Sequence, residues 1–119
     1  MNPQLTLLLE IQDLRAQARE LRSESQAGRM EQEHFELDLD EAMAQLEEKA
    51  TELEEELEAR VRRRFRRVAS SVDRAVVPVL KGVCYGCLTA IPTATAGEES
   101  PNETLQSCEN CGRFLYILP

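Results

Sequence analysis

Cys84-Tyr-Gly-Cys87 and, twenty residues further on, Cys108-Glu-Asn-Cys111 hold every cysteine of the 119-residue chain. Two C-x-x-C pairs joined by a loop of this length can present four thiolates to one tetrahedral Zn²⁺. The spacing therefore predicts Cys84, Cys87, Cys108 and Cys111 as the ligands of a single structural zinc. With every ligand position taken by thiolate, none is left for water or substrate, which speaks against catalysis at the metal. The segment around the pairs is too small to fold on an apolar core alone. Metal binding is expected to supply most of its folding free energy, on the order of 10 kcal/mol.

Other uses of the cysteines fit less well. Two disulfides would require an oxidising compartment. The start of the chain gives no sign of export. Leu5 to Leu9 is a short apolar run that Glu10 ends, no basic residue precedes it, and no small-residue cleavage site follows. A redox dithiol normally stands as one C-x-x-C in a βαβ setting, and here there are two pairs without that setting. A cytoplasmic location is the expectation. No stretch approaches the ~18 apolar residues of a membrane span.

Moving outward from the cysteines, composition and charge change sharply. Residues 1–59 carry 17 acidic and 5 basic side chains, residues 60–82 carry 8 basic and 1 acidic, and residues 83–119 carry 4 acidic and 1 basic. There is no Trp, and aromatic residues make up 4% of the chain, so a large globular core is not expected. The first two-thirds is rich in Ala, Glu, Leu and Arg, as long helices and coiled coils are.

Asn2-Pro3 suits a helix start, with Asn as N-cap and Pro in the first turn. Leu7, Ile11, Leu14, Ala18 and Leu21 then follow alternating steps of four and three, one seam of a heptad pattern. The next seam positions are Ser25 and Gly28, which places a turn at residues 23–28; an uninterrupted helix through Gly28 is the alternative, since one Gly costs only about 1 kcal/mol. A second helix is expected from about Arg29 to about Val77, carrying Leu39, Met43, Leu46, Ala50, Leu53 and Leu57, then Val61, Phe65, Val68 and Val72. The two steps of four from Leu57 through Val61 to Phe65 form a stutter. Pro78 is expected to end the helix.

The fold class that follows is mainly α: an antiparallel coiled-coil helical hairpin over residues 1–80, then a small C-terminal β zinc ribbon over residues 81–119. Its strands are expected within Val83–Ile91, Thr104–Ser107 and Arg113–Leu118, with Thr93–Glu103 as a loop. Gly86 and Gly112 are expected to serve the two cysteine turns. Helix two would be nearly twice as long as helix one. Leu53, Leu57, Val61, Phe65, Val68 and Val72 would then form an unpartnered apolar stripe, a candidate seam for a homodimer or for the zinc module.

The second motif is Arg60-Val-Arg-Arg-Arg-Phe-Arg-Arg67, six arginines in eight residues. Arg60, Arg63, Arg64, Arg66 and Arg67 are candidate anion contacts. A solvated helix face is the plain reading. Nucleic-acid phosphate, or the Glu-rich segment of a second copy in an antiparallel dimer, are the specific ones. The single histidine, His34, lies among glutamates and reads as surface or turn packing. No Ser/His/Asp set, phosphate loop or H-E-x-x-H is present.

The blocks Gly82-Val-Cys-Tyr-Gly-Cys-Leu-Thr-Ala-Ile-Pro92 and Leu105-Gln-Ser-Cys-Glu-Asn-Cys-Gly-Arg-Phe-Leu-Tyr116 resemble the bacterial four-cysteine zinc-ribbon proteins with an N-terminal coiled-coil hairpin, the FlgZ-like family. That resemblance covers residues 82–118, and typical members carry a considerably longer hairpin. It implies zinc on Cys84, Cys87, Cys108 and Cys111, and a non-enzymatic adaptor linked to sigma-54, flagellar gene expression and, in some members, RNA. A looser resemblance is to RNA-polymerase secondary-channel regulators of the DksA/TraR type, which carry acidic residues at a coiled-coil tip where this chain has Glu24. The expected function is a zinc-binding adaptor or regulator of a macromolecular partner: transcription machinery, RNA or DNA, or a protein held through a coiled-coil scaffold. A thiol-disulfide enzyme is the remaining alternative. Neither a membrane nor a small-molecule substrate is expected as partner.

Overall fold

A computed structural model describes residues 1–26, 33–92 and 100–118, without the side chains of residues 25, 26 and 33–37. The chain is mainly α with a C-terminal β part. Three helices, α1 (Pro3–Gln26), α2 (Glu33–Glu55) and α3 (Ala59–Ala69), precede four strands, β1 (Val76–Leu80), β2 (Val83–Cys84), β3 (Gln106–Ser107) and β4 (Phe114–Ile117).

Helix α1 starts as its sequence requires: the Asn2 side-chain oxygen accepts the Gln4 N–H at 2.8 Å, so Asn2 is the N-cap ahead of Pro3. Its end differs from expectation. Residues 23–26 are helical rather than a turn. The apolar seam stops near Leu21, but nothing in Ser23-Glu-Ser-Gln26 prevents the backbone hydrogen bonds from continuing. The remainder of the expected turn, residues 27–28, lies outside the described residues, as does the side chain of His34. The two helices run antiparallel, since Gln4 bonds Glu58 and Arg15 pairs with Glu47.

The long second helix does not exist as one element. It breaks after Glu55, at the stutter, and Glu58 is extended with φ −59° and ψ 144°. The Gln4 side-chain oxygen accepts the Glu58 N–H at 2.9 Å, satisfying a donor that the break frees. Arg62, early in α3, reaches back over the end of α2 and donates to the carbonyls of Glu54, Glu55 and Leu57. A cation on those carbonyls satisfies orphan acceptors and complements the negative helix end.

This break buries the stripe that the sequence left unpartnered. Leu53, Leu57, Val61 and Phe65 are at most 8% exposed and pack in one core with Leu5, Leu8, Ile11, Ala50, Ala75, Val76 and Phe114. Val68 packs on its margin, and Val72 is half-buried. Redirecting α3 brings both halves of the stripe against α1 and the sheet, so these side chains are covered within the chain itself. Leu5 and Leu8 fall outside the 4-3 seam read from the sequence but are fully buried.

Helix α3 ends where Ser70 donates its hydroxyl to the Arg67 carbonyl at 2.7 Å. Residues expected to prolong the helix instead form β1. Val76, Val77 and Val79 are β-branched, and Pro78 biases Val77 toward extended backbone. The sheet order is β2-β1-β4-β3, with β1 antiparallel to β2 and parallel to β4, and β3 antiparallel to β4. The sheet thus begins at Val76, ahead of the boundary at residue 80. Ala75, Val76 and Phe114 share a core with the helices, because the sheet packs one face on them. A second cluster, Val77, Val79, Ile91, Leu115 and Ile117, surrounds Cys84 and Cys108. Lys81 and Gly82 both have positive φ, 51° and 76°, in the two-residue turn joining β1 to β2.

Candidate metal centre and arginine face

The four cysteines converge, with their sulfurs all within 4.8 Å of one another. Cys84 Sγ lies 3.9 Å from Cys111 Sγ, and Cys87 Sγ lies 3.7 Å from Cys108 Sγ. A tetrahedral Zn²⁺ with Zn–S bonds of about 2.3 Å requires sulfur–sulfur edges of about 3.8 Å. All four thiols are free of disulfides. The donor set and its edges therefore fit one four-coordinate zinc.

Two loops of matching construction position these donors. In the first, the Leu88 N–H donates to the Cys84 carbonyl and the Cys84 N–H to the Thr89 carbonyl. In the second, the Gly112 N–H donates to the Cys108 carbonyl and the Cys108 N–H to the Arg113 carbonyl. Each bond recurs at an offset of twenty-four residues, the spacing of the two cysteine pairs. Gly112 takes φ +78°, as the sequence suggested. Its counterpart is Leu88, at φ +60° with 73% of its surface exposed. Gly86 lies in the first cysteine turn, as expected, without a positive φ. A Cβ there would lie 2.8 Å from Arg113 Cδ, so Gly86 leaves room for the Arg113 side chain. Arg113 uses that passage to donate to the Arg74 carbonyl at 2.9 Å, linking the second loop to the entry of β1.

Electrostatics at the thiols suit a cation. Burial pushes the Cys84 thiol well up, although the Cys87 and Gly86 N–H groups point at its sulfur. Hydrogen bonds from Thr89 and Asn110 lower the Cys87 thiol, and the Asn110 amide also holds the Thr89 hydroxyl at 3.2 Å. A divalent cation held by the four sulfurs would offset the negative charge that burial disfavours at Cys84 and so favour its thiolate. Sequence reasoning missed Thr89 and Asn110, for which the cysteine spacing carries no signal.

The arginine cluster divides in two. Arg62 and Arg66 face the end of α2. The Glu54 carboxylate, 5% exposed, takes Arg66 on one oxygen and Arg15 of α1 on the other at 2.7 Å. Burial by itself would raise the Glu54 pKa, but the Arg66 and Arg15 bonds together outweigh it and hold the carboxyl below its usual value. Part of the Arg–Glu pairing is therefore made within the chain, by Arg62 and Arg66. Arg60, Arg63, Arg64 and Arg67 face the other way, toward Leu105, Ser107 and Phe114. The Arg64 guanidinium sits 5.8 Å from the centre of the Phe114 ring and reaches the Gly112 carbonyl at 3.5 Å. Tyr85 and Leu88 stand exposed on the first cysteine loop.

No family model matches the chain, and no curated protein matches it. Two solved bacterial structures resemble it. CT398 from Chlamydia trachomatis is 25% identical, over 82% of this chain and 44% of that one, with a TM-score of 0.49. HP0958 from Helicobacter pylori is 18% identical, over 96% of this chain and 76% of that one, with a TM-score of 0.43. The chain spans less than half the length of CT398. Among the described residues no helix is long and apolar enough to cross a membrane.

Proposed function

We propose that this chain is a non-enzymatic, zinc-stabilised adaptor of the bacterial four-cysteine zinc-ribbon kind. In this reading a structural Zn²⁺ on Cys84, Cys87, Cys108 and Cys111 fixes the sheet to the helices, and the surface around it binds a macromolecular partner. The observation that carries it is the sulfur geometry: edges of 3.7 and 3.9 Å fit a shell of four thiolates. Such a shell has no position for water or substrate, so its contribution is structural. The surface beside it is suited to binding, with Tyr85 and Leu88 exposed on one side and outward arginines of α3 on the other. The C-x-G-C and C-x-x-C-G-R-F-L-Y blocks support placing the chain with regulators of gene expression, inside the cell, where thiols persist.

The experiment is metal analysis of the purified chain, followed by partner capture from the source cell with and without nuclease. One zinc per chain, and a partner captured by the wild type but not by Cys108→Ser, support the reading. Disulfide reductase activity in a metal-free chain would overturn it. Recovery of one protein in both nuclease arms would assign the partner to protein, and loss under nuclease would assign it to nucleic acid.

A further inference from the structure

The outward arginines enclose a space as well as decorating a surface. Arg60, Arg63, Arg64 and Arg67 line a recess of about 550 Å³ between α3 and the β3–β4 side of the sheet. Val61, Leu105 and Phe114 form its apolar wall, and Ser107 adds a hydroxyl. This volume lies within the roughly 300–1,000 Å³ range of small-molecule sites. Among the described residues no acidic side chain lines it. Glu54 and Glu55 take Arg62 and Arg66 on the far side of the helix instead. Arg64 Nε is shielded from solvent without a hydrogen-bond partner, the single such side-chain atom found among the described residues. Four like charges along two turns of one helix, with one donor buried and unpaired, leave a demand for anionic charge that the described residues do not meet.

We propose that this recess binds a small polyphosphate anion, two or three linked phosphoryl groups held by the guanidinium forks of Arg60, Arg63, Arg64 and Arg67. Guanidinium pairs bidentately with both carboxylate and phosphate. A carboxylate brings one charge, whereas a phosphoryl group brings up to about two and three acceptor oxygens. Linked phosphoryl groups therefore match this density of arginine in a recess too small for a run of acidic side chains. The Phe114 ring is 1% exposed and offers no free face for stacking a base, so recognition rests on the phosphates. The proposal depends on how α3 sits against the sheet and goes beyond the adaptor reading.

The test is calorimetric titration of the zinc-loaded full chain with inorganic tripolyphosphate, and in separate arms with ADP and a short single-stranded oligonucleotide. Saturable one-to-one binding of tripolyphosphate is expected. The Arg63→Ala/Arg67→Ala double variant, both positions exposed on the surface, should weaken it roughly tenfold or more. An Arg19→Ala/Arg22→Ala variant, with the same loss of charge on exposed positions of α1, should bind as the wild type does. Absence of saturable binding overturns the proposal. So does equal weakening by both variants, which would mark diffuse attraction to net charge. Oligonucleotide binding that tripolyphosphate does not displace also overturns it, by assigning the arginines to a polymer track. Zinc content and partner capture, read on the same samples, report separately on the adaptor reading.

Discussion

The Gln12 carboxamide is bonded to both backbone groups of Val76, accepting its N–H at 2.9 Å and donating to its carbonyl at 3.0 Å. A side chain of α1 thereby takes the place of a missing strand. On the same edge of β1, two residues on, the Pro78 carbonyl accepts the Tyr85 N–H, and β2 pairs only with Val79 and Leu80. Val76 lies beyond the reach of β2, and Gln12 satisfies it. Pro78 fits the same edge, where its lack of an N–H leaves no ladder bond unmade. Asn102 does a matching task at the other end of the sheet, bonding both backbone groups of Ile117.

Replacing Gln12 by Leu keeps apolar bulk but orphans the Val76 N–H and carbonyl. The expected loss is about 1–3 kcal/mol, read as a lower urea midpoint with an unchanged slope. A midpoint equal to the wild type would show that water replaces the side chain at that edge.

The paired cysteine loops predict a stabilising substitution. Leu88 occupies the left-handed position that Gly112 holds in the second loop, and its side chain is mostly exposed. Leu88→Gly should stabilise the zinc-loaded protein by about 1 kcal/mol, because a non-glycine residue is strained there by about that amount. The readout is thermal unfolding in excess zinc. Destabilisation would mean that the Leu88 side chain contributes packing that outweighs the backbone strain. At Gly86 the opposite holds: Gly86→Ala puts a methyl 2.8 Å from Arg113 Cδ and should lower the melting temperature.

Glu54 ties three helices together, taking Arg15 of α1 and Arg66 of α3 from its place in α2. Because its folded pKa lies below the ordinary 4.5, its contribution is complete well above that value. It is lost as pH falls below it, toward the folded pKa. Glu54→Gln should cost about 1–2 kcal/mol at neutral pH, discounted for the exposure of Arg66. The difference between the two proteins should shrink as pH drops below 4.5. Thiol protonation acts on both proteins alike, so the difference in helical unfolding by circular dichroism isolates Glu54. A gap independent of pH would remove the carboxylate from this account.

Burial of the former stripe makes a further outcome specific. Phe65 is 3% exposed and packs with Leu57, Val61 and the first turns of α1. Phe65→Ala should destabilise the fold of the single chain by about 3–5 kcal/mol, with a melting temperature expected not to depend on protein concentration. A concentration-dependent transition in the wild type that the substitution abolishes would restore an intermolecular seam.

Which features were legible in the sequence follows from the range of the interactions that set them. The convergence of the four cysteines was, because C-x-x-C encodes a local turn and two such turns with this spacing suit one cluster. The start of α1 was, because Asn2 caps it through a neighbour two residues away. The break after Glu55 left a trace in the 4-4 step at Leu57–Val61–Phe65, but periodicity alone reads such a step as a change of winding. The break is held by Gln4, Arg15, Arg62 and Arg66, contacts 5 to 54 residues apart in sequence. Strand β1 was hidden in the same way, since Val68, Val72 and Val76 continue a helical spacing.

The sequence by itself determined the chemistry on offer: four cysteines spaced to meet and able to hold a metal, a helical first part, and a dense run of arginine on an otherwise acidic chain. Its local signals sufficed because cysteine spacing, capping and charge are written in neighbouring residues. Only the tertiary structure decided where that chemistry faces. The Glu54 carboxylate and the carbonyls at the end of α2 draw Arg62 and Arg66 to one side of α3. Packing of Val61 and Phe65 against α1 and Phe114 then turns Arg60, Arg63, Arg64 and Arg67 toward the sheet. Helical spacing places Arg62 and Arg66 on one flank of the Val61–Phe65 stripe and Arg60, Arg64 and Arg67 on the other, but which segment each flank meets rests on burial and pairing between distant residues.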